Sequence, residues 1–260
     1  MITGDLNQTK FVTLAIGMIS LTNRNFITGI IIKKIRYRDY HEILHVLTEQ
    51  GNIESFFYEN VHKSKKKIKV STPYDVSINF FPTSGMNKIT NLEIENTYTN
   101  IVYDILKNSY VANMLEYVNL INDDTFNMYK LLKVCLKNIE NDVSEKLVLI
   151  YFLCQILKGQ GFMFKYQKTD QPYVGYSFLK NSFVDKFNID HSVYGLSDPL
   201  VKLTYYMTVK NIDFLEILEI ENKDLIQLFS FLNMVFKEFV GIETKSYTKI
   251  LELEAMLGSN

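Results

Sequence analysis

The sequence predicts an α+β fold in which a strand-rich first part precedes a helical second part. Up to about residue 95, short runs of β-branched and aromatic residues are separated by Gly, Asn or Pro, a pattern typical of strands. Beyond that point, apolar residues recur at helical spacing. The net charge changes sign at nearly the same place. Residues 1 to 92 hold 12 Lys and Arg against 7 Asp and Glu, whereas residues 93 to 260 hold 16 Lys and Arg against 22 Asp and Glu. The two parts are therefore expected to differ in structure and in surface charge.

Six segments of the first part have the composition of strands. Each is short and rich in residues that favour a pleated, half-buried surface. The segments are residues 27–35 (ITGIIIKKI), 42–48 (EILHVLT), 52–60 (NIESFFYEN), 67–72 (KIKVST), 74–81 (YDVSINFF) and 88–94 (KITNLEI).

The second part contains helical periodicity in five segments. Ser144 stands where an N-cap is expected before the apolar run LVLIYFLCQIL, and Gly241 is placed to end the last of these helices. Apolar residues at i, i+3 and i+4 predict helices over residues 98–120, 125–138, 144–157, 198–209 and 223–240.

Composition favours an ordinary globular protein in a reducing compartment. The 260 residues are 47% hydrophobic, enough for one large domain or two modest ones. Cys135 and Cys154 lie in apolar surroundings outside any C-x-x-C pair, so neither a disulfide framework nor a thiolate zinc site is expected. The apolar run from Phe11 to Leu21 is too short to span a bilayer, and the features of a signal peptide are lacking. We expect a cytoplasmic protein.

Residues 41–45 form the sequence H-E-I-L-H, which matches the metallopeptidase motif H-E-x-x-H. On a helix, this spacing places two imidazoles on one face to hold zinc, with the Glu as general base. The surrounding residues have strand character, and neither His62 nor His191 is placed to supply a third ligand. The preferred interpretation is that His41 and His45 are surface or half-buried side chains of a strand; a zinc metallopeptidase is the less favoured alternative.

Residues 27 to 53 read ITGIIIKKIRYRDYHEILHVLTEQGNI, in which a Gly-Ile-Ile-Ile strand leads to a tyrosine, an acidic residue and an I-L-x-x-L-T run before a glycine. This order of residues resembles the opening of the RecO family of bacterial recombination mediators. In that family a G-I-V-L strand leads to a tyrosine, an acidic residue and then I-L-T-L-x-T-x-x-x-G. The family usually has Gly where His41 stands, so that one difference creates the apparent zinc motif. The matching positions are Gly29-Ile30-Ile31-Ile32, Tyr40, Glu42, Ile43-Leu44, Leu47-Thr48 and Gly51.

The resemblance continues to about residue 253. A basic loop, a strand-opening proline, an acidic residue after a short strand and a Gly-x-x-x-Lys-Ser pattern follow in the family's order. It implies an OB-fold β-barrel over residues 27–95 and an all-helical domain over 96–257, with residues 1–26 as an extension or leader. The positions concerned are His62-Lys63-Ser64-Lys65-Lys66-Lys67, Thr72-Pro73-Tyr74, Leu92-Glu93-Ile94-Glu95 and Gly241-Ile242-Glu243-Thr244-Lys245-Ser246.

An insertion over residues 161–187 departs from many members of the family, which carry a cysteine-rich zinc site there. This segment contains no cysteine, and a structural zinc site needs four N or S ligands. We therefore predict a zinc-free insertion held together by aromatic packing. The rings concerned are Phe162, Phe164, Tyr166, Tyr173, Tyr176, Phe178 and Phe183.

A lysine cluster is the feature of the sequence that points most directly to function. Residues 63–69 contain five lysines in seven positions. As a strand, this segment would present Lys65, Lys67 and Lys69 on one face, an array suited to phosphates. The alternative is a solvated loop whose charges only aid solubility. The resemblance favours DNA binding through Lys63, Lys65, Lys66, Lys67 and Lys69.

A second basic cluster and several rings accompany it. Lys33, Lys34, Arg36 and Arg38 follow the first strand, and in a five-stranded barrel the two clusters can meet on one face. Among the nearby rings, Phe56 and Phe57 must point to opposite sides of a strand, so at least one belongs to the core. Tyr37 and Tyr40, which alternate with the arginines, are the preferred residues for stacking on bases.

The predicted helix over 125–138 carries a polar stripe opposite its apolar side. The stripe consists of Tyr129, Lys130, Lys133 and Lys137, and the apolar side of Met128, Leu131, Leu132, Cys135 and Leu136. A RecO-like helical domain implies binding of the acidic tail of a single-stranded-DNA-binding protein, for which a lysine rim is suited. An ordinary solvated lysine face is the alternative.

The resemblance implies a mediator of DNA repair and recombination that works by binding rather than by catalysis. Its expected partners are single- and double-stranded DNA, the single-stranded-DNA-binding protein, a RecR-like partner and, indirectly, a RecA-type recombinase. No Walker loop, G-x-S-x-G motif or cofactor motif is present in the sequence, and no cofactor is expected. The alternative from another class is a DNA-independent helical adaptor.

Overall fold

A computed structural model describes residues 25–121 and 127–258 of the chain. These residues form two compact units that join along the chain between Asn96 and Thr97. Of the predicted extension 1–26, only Asn25 and Phe26 are described, and both belong to the first strand. Among the described residues, no helix is both long and apolar enough to cross a membrane.

The first unit is a closed five-stranded barrel with the strand order β1-β2-β3-β5-β4. Neighbouring strands are antiparallel except for β3 and β5, which pair in parallel. This arrangement confirms the predicted α+β class with an N-terminal OB-type barrel. The strands are β1 (Asn25–Tyr37), β2 (His41–Thr48), β3 (Ile53–Tyr58), β4 (Asp75–Phe81) and β5 (Asn87–Asn96).

Alternation of side chains along the strands fills the interior of the barrel. Leu44 and Phe56 are register partners on β2 and β3, and both are fully buried. Gly29 allows β1 to approach β2 closely, since a Cβ atom there would lie 2.5 Å from the carbonyl oxygen of Leu47. The rest of the core includes Ile31, Val46, Val76, Ile78, Ile89 and Leu92.

The prediction of a strand at residues 67–72 is wrong, because this segment belongs to an irregular loop between β3 and β4. The Lys67 N–H donates to the Ser64 carbonyl at 3.3 Å, which turns the backbone where a strand would extend it. Pro73 follows and has no N–H to give to a ladder. The β propensity of KIKVST is therefore overridden by turn formation, and the lysines do not alternate across a strand.

The second unit is helical and includes one small sheet. Its elements are α1 (Thr99–Tyr103), α2 (Ile105–Leu120), α3 (Met128–Glu140), α4 (Glu145–Gly159), β6 (Tyr173–Ser177), β7 (Ser182–Asp185), β8 (Val193–Gly195), α5 (Asp198–Val209), a 3-10 helix (Ile212–Ile217), α6 (Asn222–Val235), a π-helical turn (Phe236–Val240) and α7 (Lys245–Gly258).

The predicted helix over 98–120 is two helices that meet at Asp104. The backbone of Asp104 is extended, and its carboxylate accepts the N–H groups of Leu106 and Lys107 at 2.8 and 3.0 Å. An N-cap inside an apolar period divides the helix without changing that period. The predicted N-cap at Ser144 is confirmed by its bond to the Leu147 N–H, and Gly241 ends the π-helical turn with a φ of 73°.

The Gly-x-x-x-Lys-Ser pattern marks the start of α7, a helix that was not predicted over its observed range. The Glu116 carboxylate of α2 accepts the N–H groups of Lys245 and Ser246 at 2.9 and 3.0 Å. Thr244 is buried, and its hydroxyl accepts from the Asn113 amide at 2.9 Å. The pattern therefore has a structural role, since it attaches the last helix of the unit to α2.

The strands β6 and β7 of the insertion pair with β8, which follows it, in a three-stranded sheet with the order β7-β6-β8 that was not predicted. Its predicted aromatic packing is confirmed, because Phe164 lies 5.8 Å from Phe183 and 5.9 Å from Tyr176 between ring centroids. Phe162, Tyr166, Tyr173 and Phe178 join the same set of ring contacts. Within the described ranges, no group of three or more His, Cys, Asp or Glu side chains is placed to hold a metal ion.

Candidate nucleic-acid interface

The H-E-x-x-H sequence lies on strand β2, so the zinc metallopeptidase alternative is wrong. His41 and His45 are on the same face but four residues apart, about 13 Å along an extended strand, too far to share one metal. Glu42 points to the opposite face and is buried. Each imidazole has a local role, since His41 Nδ1 accepts the Asn60 N–H at 3.0 Å and His45 Nδ1 lies 3.1 Å from the Ser55 hydroxyl.

The loop between β3 and β4, here called the lysine loop (residues 62–69), is held between two core residues. Val61 and Val70 flank it and are 1% and 3% exposed. Its backbone is turned by bonds to Ser64, whose hydroxyl also accepts the Lys66 N–H at 3.3 Å. The loop therefore has fixed ends and projects its polar residues away from the core.

Four of the five lysines in this loop are exposed to solvent, namely Lys63, Lys65, Lys66 and Lys69. Lys67 is half-buried and lies over the ring of Tyr58 at 5.0 Å from its centroid. Lys66 and Lys67 also line a cavity of about 350 Å³ between the loop and β5, together with Ser64, Thr90 and Asn91. Cations, a hydroxyl and an amide around one concave surface are groups that bind phosphate oxygens.

The lysine loop and the end of β1 lie next to each other, as the sequence analysis anticipated for a barrel. The His62 N–H donates to the Tyr40 carbonyl at 3.2 Å, and the Lys63 ammonium lies 5.7 Å from the centroid of the Tyr40 ring. At the other end of the loop, the Lys34 ammonium donates to the Val70 carbonyl at 2.8 Å. The structure therefore joins the two basic clusters into one surface of the barrel.

The four cations at the end of β1 have different environments. Lys33 is exposed, and Arg38 has a left-handed φ of 53° in the β1–β2 turn, where its guanidinium lies 5.2 Å from the Tyr37 centroid. Arg36 donates to the Asp39 carbonyl at 3.3 Å. Lys34 instead points towards the buried Glu42, with its ammonium 3.6 Å from that carboxylate. All four predicted cations are therefore exposed, but Lys34 differs from the others because it also contacts the buried Glu42 and the Val70 carbonyl.

Rings accompany the cations on this surface. Tyr37 and Tyr40 are 40% and 47% exposed, whereas Phe56 and Tyr58 are buried in the barrel. Phe57 is half-buried on the outer face, 6.0 Å from Tyr37 and 5.1 Å from His41 between ring centroids. Phe57 and His41 thus extend the aromatic surface of Tyr37, an arrangement visible only once the β1–β2–β3 register is known.

Two ionisable groups at the edges of this surface have shifted pKa values. Burial, together with the nearby charge of Lys33, lowers the pKa of His45, so this imidazole is held in its neutral form. A hydrogen bond from Lys88 lowers the pKa of the Glu59 carboxyl, and the two charges are 2.5 Å apart. Lys88 is therefore paired, and among the residues that the structure describes, the lysine loop and the β1 cluster form the main cationic surface of the barrel.

The polar stripe predicted on the helical unit lies on α3. Lys130, Lys133 and Lys137 are exposed, while Tyr129 is 7% exposed and its hydroxyl lies 3.1 Å from the Lys133 ammonium. The opposite side is core, with Met128, Leu132, Cys135 and Leu136 buried. Burial also raises the pKa of the Cys135 and Cys154 thiols, so both behave as small hydrophobic residues.

Curated proteins of similar sequence cover almost the whole chain. A protein named DNA repair protein RecO from Macrococcus caseolyticus (strain JCSC5402) is 27% identical over 237 residues, 86% of this chain and 94% of the relative. Proteins of the same name from Staphylococcus haemolyticus (strain JCSC1435) and Staphylococcus aureus (strain Newman) are 25% and 23% identical over 240 and 243 residues, covering 87% and 88% of this chain and 96% and 97% of the relatives. No family model matches the sequence. These relatives confirm the resemblance to RecO proteins that the motifs indicated.

Proposed function

We propose that this chain is a RecO-type mediator of DNA repair and recombination that binds single- and double-stranded DNA through its barrel. The observation that carries the proposal is the junction of the lysine loop with the β1 cluster beside the exposed rings of Tyr37 and Tyr40. The names of the relatives, each a DNA repair protein RecO, support the same role. We place the protein in the cytoplasm, associated with the nucleoid.

The cations and the aromatic rings of this surface have different roles in the proposed binding of DNA. The lysines and arginines contact phosphates and release counterions, so binding depends on salt and little on base sequence. Tyr37 and Tyr40 supply faces on which unpaired bases stack, which favours single strands and the ends of duplexes. Cations that screen the phosphates of two complementary strands at once lower their mutual repulsion. Strand annealing follows from the same contacts that bind each strand.

The proposal contains no catalytic step. The side chains assembled on the barrel surface are cations and aromatic rings, which bind and orient a polyanion. Binding alone is sufficient for a protein that anneals strands and exchanges one coating protein for another. We therefore propose a non-enzymatic function.

The helical unit is proposed to recruit the other proteins of the pathway. The exposed lysines of α3 suit the acidic tail of a single-stranded-DNA-binding protein, whereas the predicted contact Tyr129 is buried and supports Lys133 from below. Docking on the coated strand, together with a RecR-like partner, allows a RecA-type recombinase to replace the coating protein. If the barrel does not bind DNA, the same helix supports the second candidate function, a DNA-independent adaptor.

The decisive experiment is fluorescence anisotropy of a labelled single strand over a salt series. The variant Lys65→Ala/Lys66→Ala/Lys67→Ala/Lys69→Ala tests the loop, and Lys130→Ala/Lys133→Ala/Lys137→Ala tests lysines elsewhere in the chain. For the loop variant we expect weaker binding and a salt slope lower by up to about 3, since each contact to a single strand contributes about 0.7. The α3 variant should keep the wild-type slope.

Two outcomes would overturn this assignment. If wild-type protein fails to bind at low salt, the lysine loop is a solvated loop and the adaptor function replaces the mediator function. If both variants lose affinity equally, net charge rather than the barrel surface explains the binding.

A further inference from the structure

Glu42 is a buried carboxylate inside a surface proposed to bind a polyanion. It is 4% exposed, and its Oε2 atom has no hydrogen-bond partner among the residues that the structure describes. A carboxylate in this position opposes DNA binding by charge, and its burial carries a desolvation cost. Charge complementarity to DNA therefore does not account for Glu42.

The contacts of Glu42 lead to both ends of the lysine loop. Its Oε1 atom lies 3.0 Å from His62 Nε2 and 3.6 Å from the Lys34 ammonium. His62 begins the loop, and its N–H is bonded to the Tyr40 carbonyl. Lys34 holds the end of the loop through its 2.8 Å bond to the Val70 carbonyl. One carboxylate oxygen therefore orients the two side chains that fix the loop to the barrel.

Tyr58 completes this arrangement from β3. Its register partner on β2 is Glu42, and its hydroxyl donates to the Ile68 carbonyl at 3.0 Å. The loop backbone is thus held at its start, near its end and at Val70 by groups that surround one buried charge. Arg36 is the register partner of Glu42 on β1, the strand that also carries Lys34.

We propose that Glu42 is a positioning residue for DNA binding, which uses Lys34 and His62 to hold the lysine loop in its binding geometry. This inference rests on the proposed function for its consequence but not for its geometry. It reassigns Lys34 from a phosphate contact to an internal tie, while Lys63, Lys65, Lys66 and Lys69 remain among the proposed phosphate contacts. This role gives a reason for the energetic cost of burying the Glu42 carboxylate, because its contacts stabilise one conformation of the lysine loop.

The direction in which one substitution changes the affinity for DNA distinguishes a positioning role from a purely electrostatic one. Glu42→Gln removes a negative charge, so electrostatics alone predicts tighter DNA binding. Loss of the loop geometry predicts the opposite, a fall of at least about tenfold, the effect of losing one charge-assisted contact. Glu93→Gln is the matched control, because Glu93 is an exposed carboxylate on β5 of the same barrel. Its affinity should stay the same or rise.

A second pair of variants removes the same single positive charge from two neighbouring positions. Lys33→Met and Lys34→Met each remove one cation from adjacent positions of β1, with His45 and Leu44 as their register partners. We expect the larger loss of affinity for Lys34→Met. The double variant Glu42→Gln/Lys34→Met should bind no worse than Lys34→Met alone, because both substitutions break the same tie.

Tryptic cleavage within residues 63–69 tests the loop without any DNA. Cleavage of Glu42→Gln and Lys34→Met should be at least about tenfold faster than cleavage of wild type, Glu93→Gln or Lys33→Met. Thermal melting confirms that each variant is folded, and Lys34→Met replaces Glu42→Gln if the latter does not fold.

The two measurements separate this inference from the proposed function. Unchanged cleavage in both loop variants overturns the positioning role. Faster cleavage with unchanged DNA affinity overturns the link between loop position and binding. Faster cleavage in a protein that never binds DNA upholds the positioning role and overturns the proposed function.

Discussion

The lysine loop of the barrel and the lysine stripe of α3 have similar compositions but are built differently. The loop has an irregular backbone held by Lys34, His62 and Tyr58, and rings lie within reach of its cations. The stripe follows from helical periodicity, with its position fixed by buried residues on the other side of the helix. Lysine density alone therefore does not distinguish a nucleic-acid surface from a peptide surface. We expect the distinction to come from the exposure of the rings, since Tyr37 and Tyr40 are exposed and Tyr129 is buried, and from the irregular backbone of the loop.

Charge reversal should give the largest difference between the two lysine clusters. For Lys65→Glu/Lys66→Glu we expect DNA affinity to fall at least about 100-fold at 0.1 M salt, since two phosphate contacts become repulsive. Lys130→Glu/Lys137→Glu changes the net charge equally and should lower DNA affinity only slightly. Anisotropy at constant salt measures both. Equal losses would show that the two clusters act through net charge alone.

Removal of a ring tests whether the neighbouring aromatic residues make the difference. Tyr40→Ala should weaken single-stranded DNA binding by about 1–3 kcal/mol, the contribution of stacking on one base, and duplex binding by less. Tyr103→Ala is the control, because Tyr103 is 86% exposed on α1. Affinity for a single strand and for a duplex of equal length gives the comparison. Equal losses on the two substrates would exclude stacking.

The stripe on α3 should respond to a different ligand. Lys130→Ala/Lys137→Ala is expected to weaken binding of an acidic, apolar peptide by about 0.5–2 kcal/mol, since exposed ion pairs contribute little individually. The loop variant Lys65→Ala/Lys66→Ala should bind that peptide as wild type does. Calorimetric titration with the peptide provides the measurement. If the loop variant is the weaker peptide binder, the roles of the two clusters are reversed.

The smallest expected effect is a dependence of barrel stability on pH. The pKa of His45 is lowered from its ordinary value of 6.5 by burial and by Lys33, so the unfolded chain binds the proton more readily than the native barrel. Stability should therefore be full above pH 6.5 and decrease as the pH falls below that value towards the folded-state pKa. In His45→Asn this part of the dependence should disappear. Thermal melting between pH 7.5 and 5.5 measures it, and identical profiles for the two proteins would contradict the assignment.

The strands of the barrel could be predicted because side chains of a strand point alternately to the buried and the outer face, so that the residue pattern reflects burial. β2 shows this, since Leu44 and Val46 point inward while His41, Ile43 and His45 share the outer face. The strand character of the flanking segments identified H-E-x-x-H as part of a strand. Helical periodicity was equally informative, but it did not show the break at Asp104, because a cap changes the backbone without changing the apolar period.

The geometry of the candidate site was less predictable. The residue types were apparent, but the strand expected at 67–72 is a loop, and Val70 at its end accepts a hydrogen bond from Lys34, 36 residues earlier in the chain. The role of Glu42 and the contact of Phe57 with His41 likewise depend on strand register. The propensities of single residues give no information on contacts between residues far apart in the sequence. Such contacts determine β structure more than any local preference does. DNA binding by the predicted site residues thus remains a proposal, while the structure describes how these residues are arranged on the barrel.

The attachment of α7 to α2 constrains the order in which the chain folds during its synthesis. Glu116 finds its N–H partners 129 and 130 residues later, and Tyr110 reaches Glu254, 144 residues away. Every strand of the barrel lies before residue 97, so the ribosome delivers a complete barrel long before the helical unit has its last helix. During that interval α2 lacks the helix that covers it. Removal of α7 should therefore disturb the first long helix of the unit, and until α7 is synthesised the nascent chain exposes the surface of α2 that this helix later covers.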